Sequence, residues 1–252
     1  MENNKVTYDF KVNAFSVKAE YFQEDIDGVF LPLVQKLEEI KRNSGGRIIV
    51  YLAGPGGAGK TTLSLLLESL AAERIKGVSV QSIGIDGFHY TLEYVNNHYV
   101  DRDGEKILMR DVRGSAETYD FEKLRQKIKE LKYGDVYWPR YDRTIHDVVE
   151  DAIFVNGEIV IIEGNWLLLD EPCWRDLIQY CDYSVFIEVD RDVLIERLTE
   201  RKVKGGLDRT TAENFVMRSD AKNVDRIMGN RLRYDLGLKY TKDGHYVRRE
   251  FI

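Results

Sequence analysis

Hydrophobic and polar residues change period several times along the chain, and each change marks an element. Val6, Tyr8, Phe10 and Val12 alternate with polar neighbours, and Phe15 and Val17 resume the alternation after Asn13. A period of two belongs to a strand with one covered face, so this lead-in is predicted to be an edge hairpin or one bent strand. From Asp25 to Arg42 the period lengthens. Ile26, Val29, Phe30, Leu33, Leu37 and Ile40 form the stripe of an amphipathic helix, which Asn43-Ser44-Gly45-Gly46 ends. Four apolar runs of strand length follow, at Arg47–Ala53, Val78–Ile85, Glu158–Ile162 and Tyr183–Val189. Nearly unbroken apolar runs suit strands covered on both faces, as in a parallel sheet.

Helical patterns separate those runs. They lie at Leu63–Leu70, at Phe121–Leu131 behind Asp120 as N-cap, at Trp174–Tyr180, and after Asp190-Arg191-Asp192, where Leu194, Ile195 and Leu198 share a face. A further helix is expected to start at Thr210 or Thr211 and run to about Met228. Strands alternating with helices predict an α/β fold, a mostly parallel sheet flanked by helices. Residues Thr91 to Gly114 follow no period, which is long for a passive connection and suits an excursion that faces a substrate. The tail, Tyr234 to Ile252, reads as a last strand or a loose wrap.

Composition sets limits on this picture. With 252 residues the chain holds one large α/β domain, and a hydrophobic content of 43% supports a substantial core. A formal net charge of -6 argues against a nucleic-acid partner, whose footprint would be basic. Cys173 and Cys181 lack metal-site or redox spacing and are expected to be buried thiols in a reducing compartment. No secretory leader opens the sequence and no apolar stretch nears eighteen residues, so no membrane partner is expected and a cytoplasmic location is.

The sharpest chemistry lies between the first strand and the first helix of the main pattern. Gly54-Pro55-Gly56-Gly57-Ala58-Gly59-Lys60-Thr61-Thr62 matches Walker A at every fixed position and sits between a strand and a helix, as a phosphate-binding loop must. Its backbone N–H groups would cradle phosphates, Lys60 would reach the β and γ phosphates of ATP, and Thr61 would ligate Mg²⁺. Glu163, closing the run Glu158–Ile162, has the Walker B position, where a carboxylate holds Mg²⁺ or its water. Asp86 ends the second run, at the carboxyl end where open α/β sheets bind ligands.

Several enzyme classes share Walker A, so later residues must decide among them. No Asn-Lys-x-Asp guanine signature is present. A small-molecule kinase needs a carboxylate near the acceptor hydroxyl, a basic lid and a pocket of polar and aromatic side chains. Asp86 supplies the first, or else caps a strand end. Arg197 and Arg201, on one helical face amid Lys202, Lys204, Arg209 and Arg218, supply the second, or else form a solvated face, with Gly205-Gly206 as a hinge. The segment Asp135–Asp147, dense in aromatics and charges, supplies the third. There Arg140 and Arg143 would contact an acidic group on the acceptor or pair with Asp142 and Asp147. His89 would bind the acceptor or steady Asp86.

From about Ile48 to Ile227 the chain resembles the P-loop kinases grouped with uridine kinase, phosphoribulokinase and bacterial pantothenate kinase. The likeness rests on GPGGAGKTT at 54–62, DGFHY at Asp86–Tyr90, RGSAETYD at Arg113–Asp120, WPRYDR at Trp138–Arg143 and IIEGNWLLL at Ile161–Leu169. It is most similar to a branch called the nucleoside/nucleotide kinase family, which includes proteins labelled fructose-transport kinases. There the stretch GGLDRTTAENFVMRSDAKNVDRI is shared. The resemblance implies a P-loop NTPase fold, ATP and Mg²⁺, Asp86 as general base, and Arg197 and Arg201 as lid arginines. It implies transfer to a hydroxyl of a small metabolite, a nucleoside, pantothenate-like or sugar-type acceptor, for which His89, Tyr90, Arg140, Tyr141 and Arg143 are the candidate contacts.

The acceptor block departs from its models. The pantothenate-kinase histidine is missing from Val136–Asp142, and the uridine-kinase phenylalanine from Tyr141-Asp142-Arg143, with His146 one residue late. A nucleotide-binding regulator with weak ATPase activity is the alternative these departures favour. The expected organisation is an extension over residues 1–46 and a kinase domain over 47–252, with a substrate excursion at about 87–147 and a lid at about 197–218. The extension would serve for packing, as a homodimer surface, or as a cover over the nucleotide.

Overall fold

The computed structural model of the chain describes residues 4–12, 15–102 and 104–249. In chain order the strands are β1 (Lys5–Val12), β2 (Phe15–Phe22), β3 (Ile48–Ala53), β4 (Val80–Gly84), β5 (Tyr99–Arg102), β6 (Glu105–Leu108), β7 (Val136–Asp142), β8 (Asp147–Val155), β9 (Ile159–Gly164), β10 (Tyr183–Val189), β11 (Leu236–Tyr240) and β12 (Tyr246–Arg249). Two compact units form: residues up to 83 with those from 157 onward, and residues 84–156.

The first unit is built on a six-stranded sheet of order β12-β11-β10-β3-β9-β4. β3 runs parallel to β9 and to β10, β10 runs parallel to β11, and β12 closes the edge antiparallel to β11. All six residues of β3 are buried, which is why its sequence is apolar without alternation. The helix Lys60–Arg74 lays Leu63, Leu66, Leu67 and Leu70 into the core formed with β3, β9 and β10. The fold is thus the α/β, P-loop-type arrangement expected, its sheet mixed through the antiparallel edge β12. The tail provides both β11, parallel to β10, and the antiparallel edge β12, so its weak alternation belonged to two strands.

The lead-in is a hairpin, β1 against β2 from Lys5↔Phe22 to Val12↔Phe15, forming a sheet of its own. Its inner residues Val6, Tyr8 and Phe10 pack on the core. The helical run 23–43 comprises Gln23–Asp25, a π turn Ile26–Phe30 and Leu31–Asn43. Ile26, Phe30, Leu33 and Leu37 join the same core as the P-loop helix, so the lead-in packs as part of the first unit. Asp25, 5% exposed, accepts from the Tyr246 amide at 2.9 Å and lies 3.1 Å from His245 Nδ1. The carboxylate thereby ties the start of the chain to β12.

The second unit holds the hairpins β5–β6 and β7–β8 and the helix Phe121–Tyr133, whose N-cap Asp120 accepts from the Lys123 amide as its sequence predicts. The charged and aromatic stretch expected to be pocket wall is mostly strand. In β7 Val136, Trp138 and Pro139 are buried, with a bulge between Trp138 and Arg140.

Smaller expectations are also corrected. The helix Arg209–Phe215 is capped by Asp208, whose carboxylate accepts from the Thr211 amide, and neither Thr210 nor Thr211 is the cap. Asp190 is an N-cap by position, but its carboxylate bonds Lys239 instead of the helix. Only one cysteine is enclosed. Cys181 donates to the Tyr183 carbonyl and burial pushes its thiol up to about 12, whereas Cys173 is exposed at the start of a short 3-10 helix. Among the described residues no helix is long and apolar enough to cross a membrane.

Candidate active site

In the first unit the loop 54–62 joins β3 to its helix. Gly59 is the helix N-cap at φ 88°, a conformation that only glycine adopts without strain, and no side chain caps the helix. The first-turn N–H groups therefore have no side-chain acceptor, the condition in which a helix N-terminus binds an anion. Lys60 is 7% exposed, and its ammonium donates to the Pro55 carbonyl at 2.9 Å and to Asn165 Oδ1 at 2.6 Å. Thr61 donates to Glu163 Oε1 at 2.8 Å, from the first turn of the helix to the end of β9. Thr62 turns back onto the Gly59 carbonyl. Thr61 thus meets Glu163, while Lys60 beside it meets Asn165. Asn165, two residues past Glu163, is the partner sequence reading missed, because it contacts Lys60 only through the register of β3 with β9.

The basic segment begins on the helix Arg191–Lys204. Arg197 donates to the Gly57 carbonyl at 3.2 Å and its guanidinium lies 4.2 Å from the centre of the Tyr240 ring. Arg201, one turn on, is exposed. The surrounding charges are largely paired: Lys202 with Asp220 at 3.1 Å, and Arg209 with Glu196 and Glu213. Leu198, Ala212 and Val216 of this segment are buried, so it is a packed part of its unit.

Asp86 lies in the second unit, in the 3-10 turn Ile85–Phe88 that follows β4. The turn is held against β7. Trp138 Nε1 donates to the Gly84 carbonyl at 2.8 Å, and Phe88 meets the Trp138 ring edge to face at 4.7 Å. Gly87 faces the Pro139 carbonyl so closely that a Cβ would stand 2.1 Å from its oxygen. Asp86 is exposed, and its Oδ1 accepts from the Tyr119 hydroxyl at 3.1 Å.

The His89 ring packs on Tyr119 at 3.9 Å and meets Tyr141 edge to face at 5.9 Å. Its Nδ1 faces the Thr118 carbonyl at 3.3 Å, and burial lowers its pKa against the opposing pull of Asp86. Tyr141 is half-buried beneath the Arg113 guanidinium, which donates to the His146 and Tyr90 carbonyls. The other candidate contacts spread away from this group. Tyr90 stacks on Tyr94 at 4.2 Å, Arg140 lies 3.7 Å from Asp142, and Arg143 is exposed. Tyr119 and Arg113 were not singled out from sequence, although both lie in the RGSAETYD block.

The profile of the phosphoribulokinase / uridine kinase family matches residues 49–223, and the chain belongs to that family. Its relatives narrow the setting. The chain is 38% identical to the uncharacterized protein YggC of Escherichia coli (strain K12) over 236 residues, which cover 93% of this chain and 96% of YggC. It is 26% identical over 216 residues to the pantothenate kinase of Lactococcus lactis subsp. cremoris (strain SK11), covering 78% of this chain and 68% of that enzyme. A crystal structure from Silicibacter sp. TM1040, provisionally assigned as a fructose transport system kinase, superposes with a TM-score of 0.74 at 31% identity, covering 83% of this chain and 98% of that one. The chain is a P-loop kinase, of a family that transfers phosphoryl groups from ATP to small-molecule hydroxyls.

Proposed function

We propose that this kinase phosphorylates a hydroxyl of a nucleoside, pantothenate-like or sugar-type metabolite, with Asp86 as general base. The pairing of Thr61 with Glu163 beside a buried Lys60 is the observation that carries the nucleotide half of this reading. One hydroxyl and one carboxylate suit Mg²⁺, which takes few protein ligands and completes its shell with water and phosphate oxygens. Thr61 and Glu163 would hold the ion, and when bound it would neutralise charge on the phosphates. Lys60 would exchange the Pro55 carbonyl and Asn165 for phosphate oxygens, while the N–H groups of residues 54–62 cradle the rest. Arg197 and Arg201 would neutralise the moving phosphoryl group, and the segment 197–218 would exclude water. Asp86 would align the acceptor hydroxyl and accept its proton, with His89, Tyr90, Arg140, Tyr141 and Arg143 as acceptor contacts. Likeness to pantothenate kinases and to the Silicibacter protein supports this range of acceptors, within the nucleoside/nucleotide kinase-like branch.

The test is ADP release from Mg²⁺-ATP in the presence of nucleosides, pantothenate, sugars and sugar phosphates. One class should stimulate turnover. Asp86→Asn should cut kcat by roughly 10²–10⁴-fold with little change in ATP affinity, and Lys60→Ala should abolish Mg²⁺-dependent ATP binding. Acceptor-independent hydrolysis alone would favour the regulatory protein with weak ATPase activity.

A further inference from the structure

The Asp86 carboxylate has one oxygen engaged and one open. Tyr119, 3% exposed, donates to Oδ1, and Oδ2 has no hydrogen-bond partner among the described residues. The Tyr119 hydroxyl is fixed by more than its own bond. The Tyr90 amide donates to the Thr118 carbonyl at 3.0 Å and the Asp120 amide to the Phe88 carbonyl at 2.8 Å. These two bonds lace the segment around Tyr119 to the turn that carries Asp86. The His89 ring closes one face of the tyrosine, and the Thr118 hydroxyl, bonded to the Ser115 carbonyl, pins the loop beneath it.

Resting on the reading of Asp86 as base, we propose that Tyr119 is a positioning residue that sets the orientation of the base. By holding Oδ1, its hydroxyl presents Oδ2 to the acceptor. As the acceptor oxygen bonds to the γ-phosphorus, the bond from that phosphorus to the β,γ-bridging oxygen breaks. The acceptor proton passes to Oδ2, and the electron pair of the broken bond leaves with ADP. Tyr119 keeps its proton throughout. A carboxylate on an exposed turn can rotate about its terminal torsion, and a buried donor on one oxygen stops that rotation before the substrate arrives. Because the Tyr119 hydroxyl acts through the base, its loss should slow the chemical step and leave ground-state binding alone.

The experiment is a double-mutant cycle of Asp86→Asn, Tyr119→Phe and the pair. It is read as ADP release from Mg²⁺-ATP with uridine, pantothenate and fructose in turn, and with water as acceptor where none of these turns over. Tyr119→Phe preserves the ring and is expected to lower kcat roughly 10-fold, the size associated with losing a hydrogen bond to a charged group, with both KM values unchanged. In the Asp86→Asn background the same change is expected to cost nothing further, since its effect passes through the carboxylate. Wild-type kcat in Tyr119→Phe, or the same loss in both backgrounds, would overturn the inference while leaving Asp86 as base. Wild-type turnover in Asp86→Asn would overturn the functional reading itself, and the inference with it. So would no ADP release under any of these conditions.

Discussion

Gly87 owes its identity to Pro139. The 2.1 Å between a would-be Cβ and the Pro139 oxygen is far inside contact distance, and the obstacle is backbone, which cannot swing aside. Gly87→Ala should therefore push the Asp86 turn off β7. The expected outcome is a loss of about 1–3 kcal/mol of stability by denaturant unfolding, as for other overpacked sites, with acceptor-dependent turnover falling more than ATP affinity.

His89 makes a second prediction at this scale. Burial keeps its imidazole below the ordinary 6.5 in the folded chain. As pH falls, the unfolded chain binds the proton first, so the His89 contribution is intact above about 6.5 and lost as pH drops through the lowered folded value. Wild-type protein should lose more thermal stability between about pH 7.5 and pH 5.5 than His89→Asn does, and equal losses would remove His89 from the account.

Which residues could be read from sequence follows from where their partners lie. Lys60 and Thr61 belong to a contiguous spacing, and Glu163 and Asp86 close apolar runs, so local pattern was enough to single them out. Asn165 and Tyr119 act on partners 105 and 33 residues away. No local period encodes such a meeting; it depends on strand register in one case and on a laced loop in the other.

At the scale of elements, the parallel strands were legible because burial on both faces leaves an unbroken apolar run, and Tyr183–Val189 was placed to the residue. The β7–β8 hairpin was not. Its outer face exposes Tyr137 and Phe154, paired across the strands at 5.2 Å, and Pro139 with the adjacent bulge interrupts its alternation. Proline is admitted to strands at such irregularities, and there it hides them from a period-two reading. The segment proposed as a lid is a packed helical element, with Leu198, Ala212 and Val216 buried, so a closing motion would have to carry their contacts with it. Its helical run is interrupted at the turn of Gly205 and Gly206, the latter at φ 104°. Trypsin cleavage after Lys204 should slow when Mg²⁺-ATP is bound, followed by mass spectrometry of the fragments. An unchanged rate at saturating nucleotide would mark the segment as static.

At the scale of the whole molecule, the phosphate-binding loop is buttressed by parts of the chain far from it in sequence. Tyr21, from β2, packs its ring 6.2 Å from that of Tyr246 in β12, and the Tyr246 hydroxyl stands 3.4 Å from the position a Cβ on Gly59 would take. Asp25, in the helical run that follows β2, accepts from the Tyr246 amide. Sequence showed the loop but not its supports, because an edge strand of four residues has too short a pattern to be assigned a neighbour.

The placement of β12 bears on how the protein is made. A ribosome delivers the Walker A segment well before β12, and the strands β3, β9 and β10 can begin to pair in the interval. The tyrosine that braces the loop arrives only with residue 246. A nascent chain therefore carries the complete binding motif without the contact that steadies it until β12 has been made. Nucleotide capture should follow the arrival of β12, and ATP would then act on its docking as a ligand that favours the folded state.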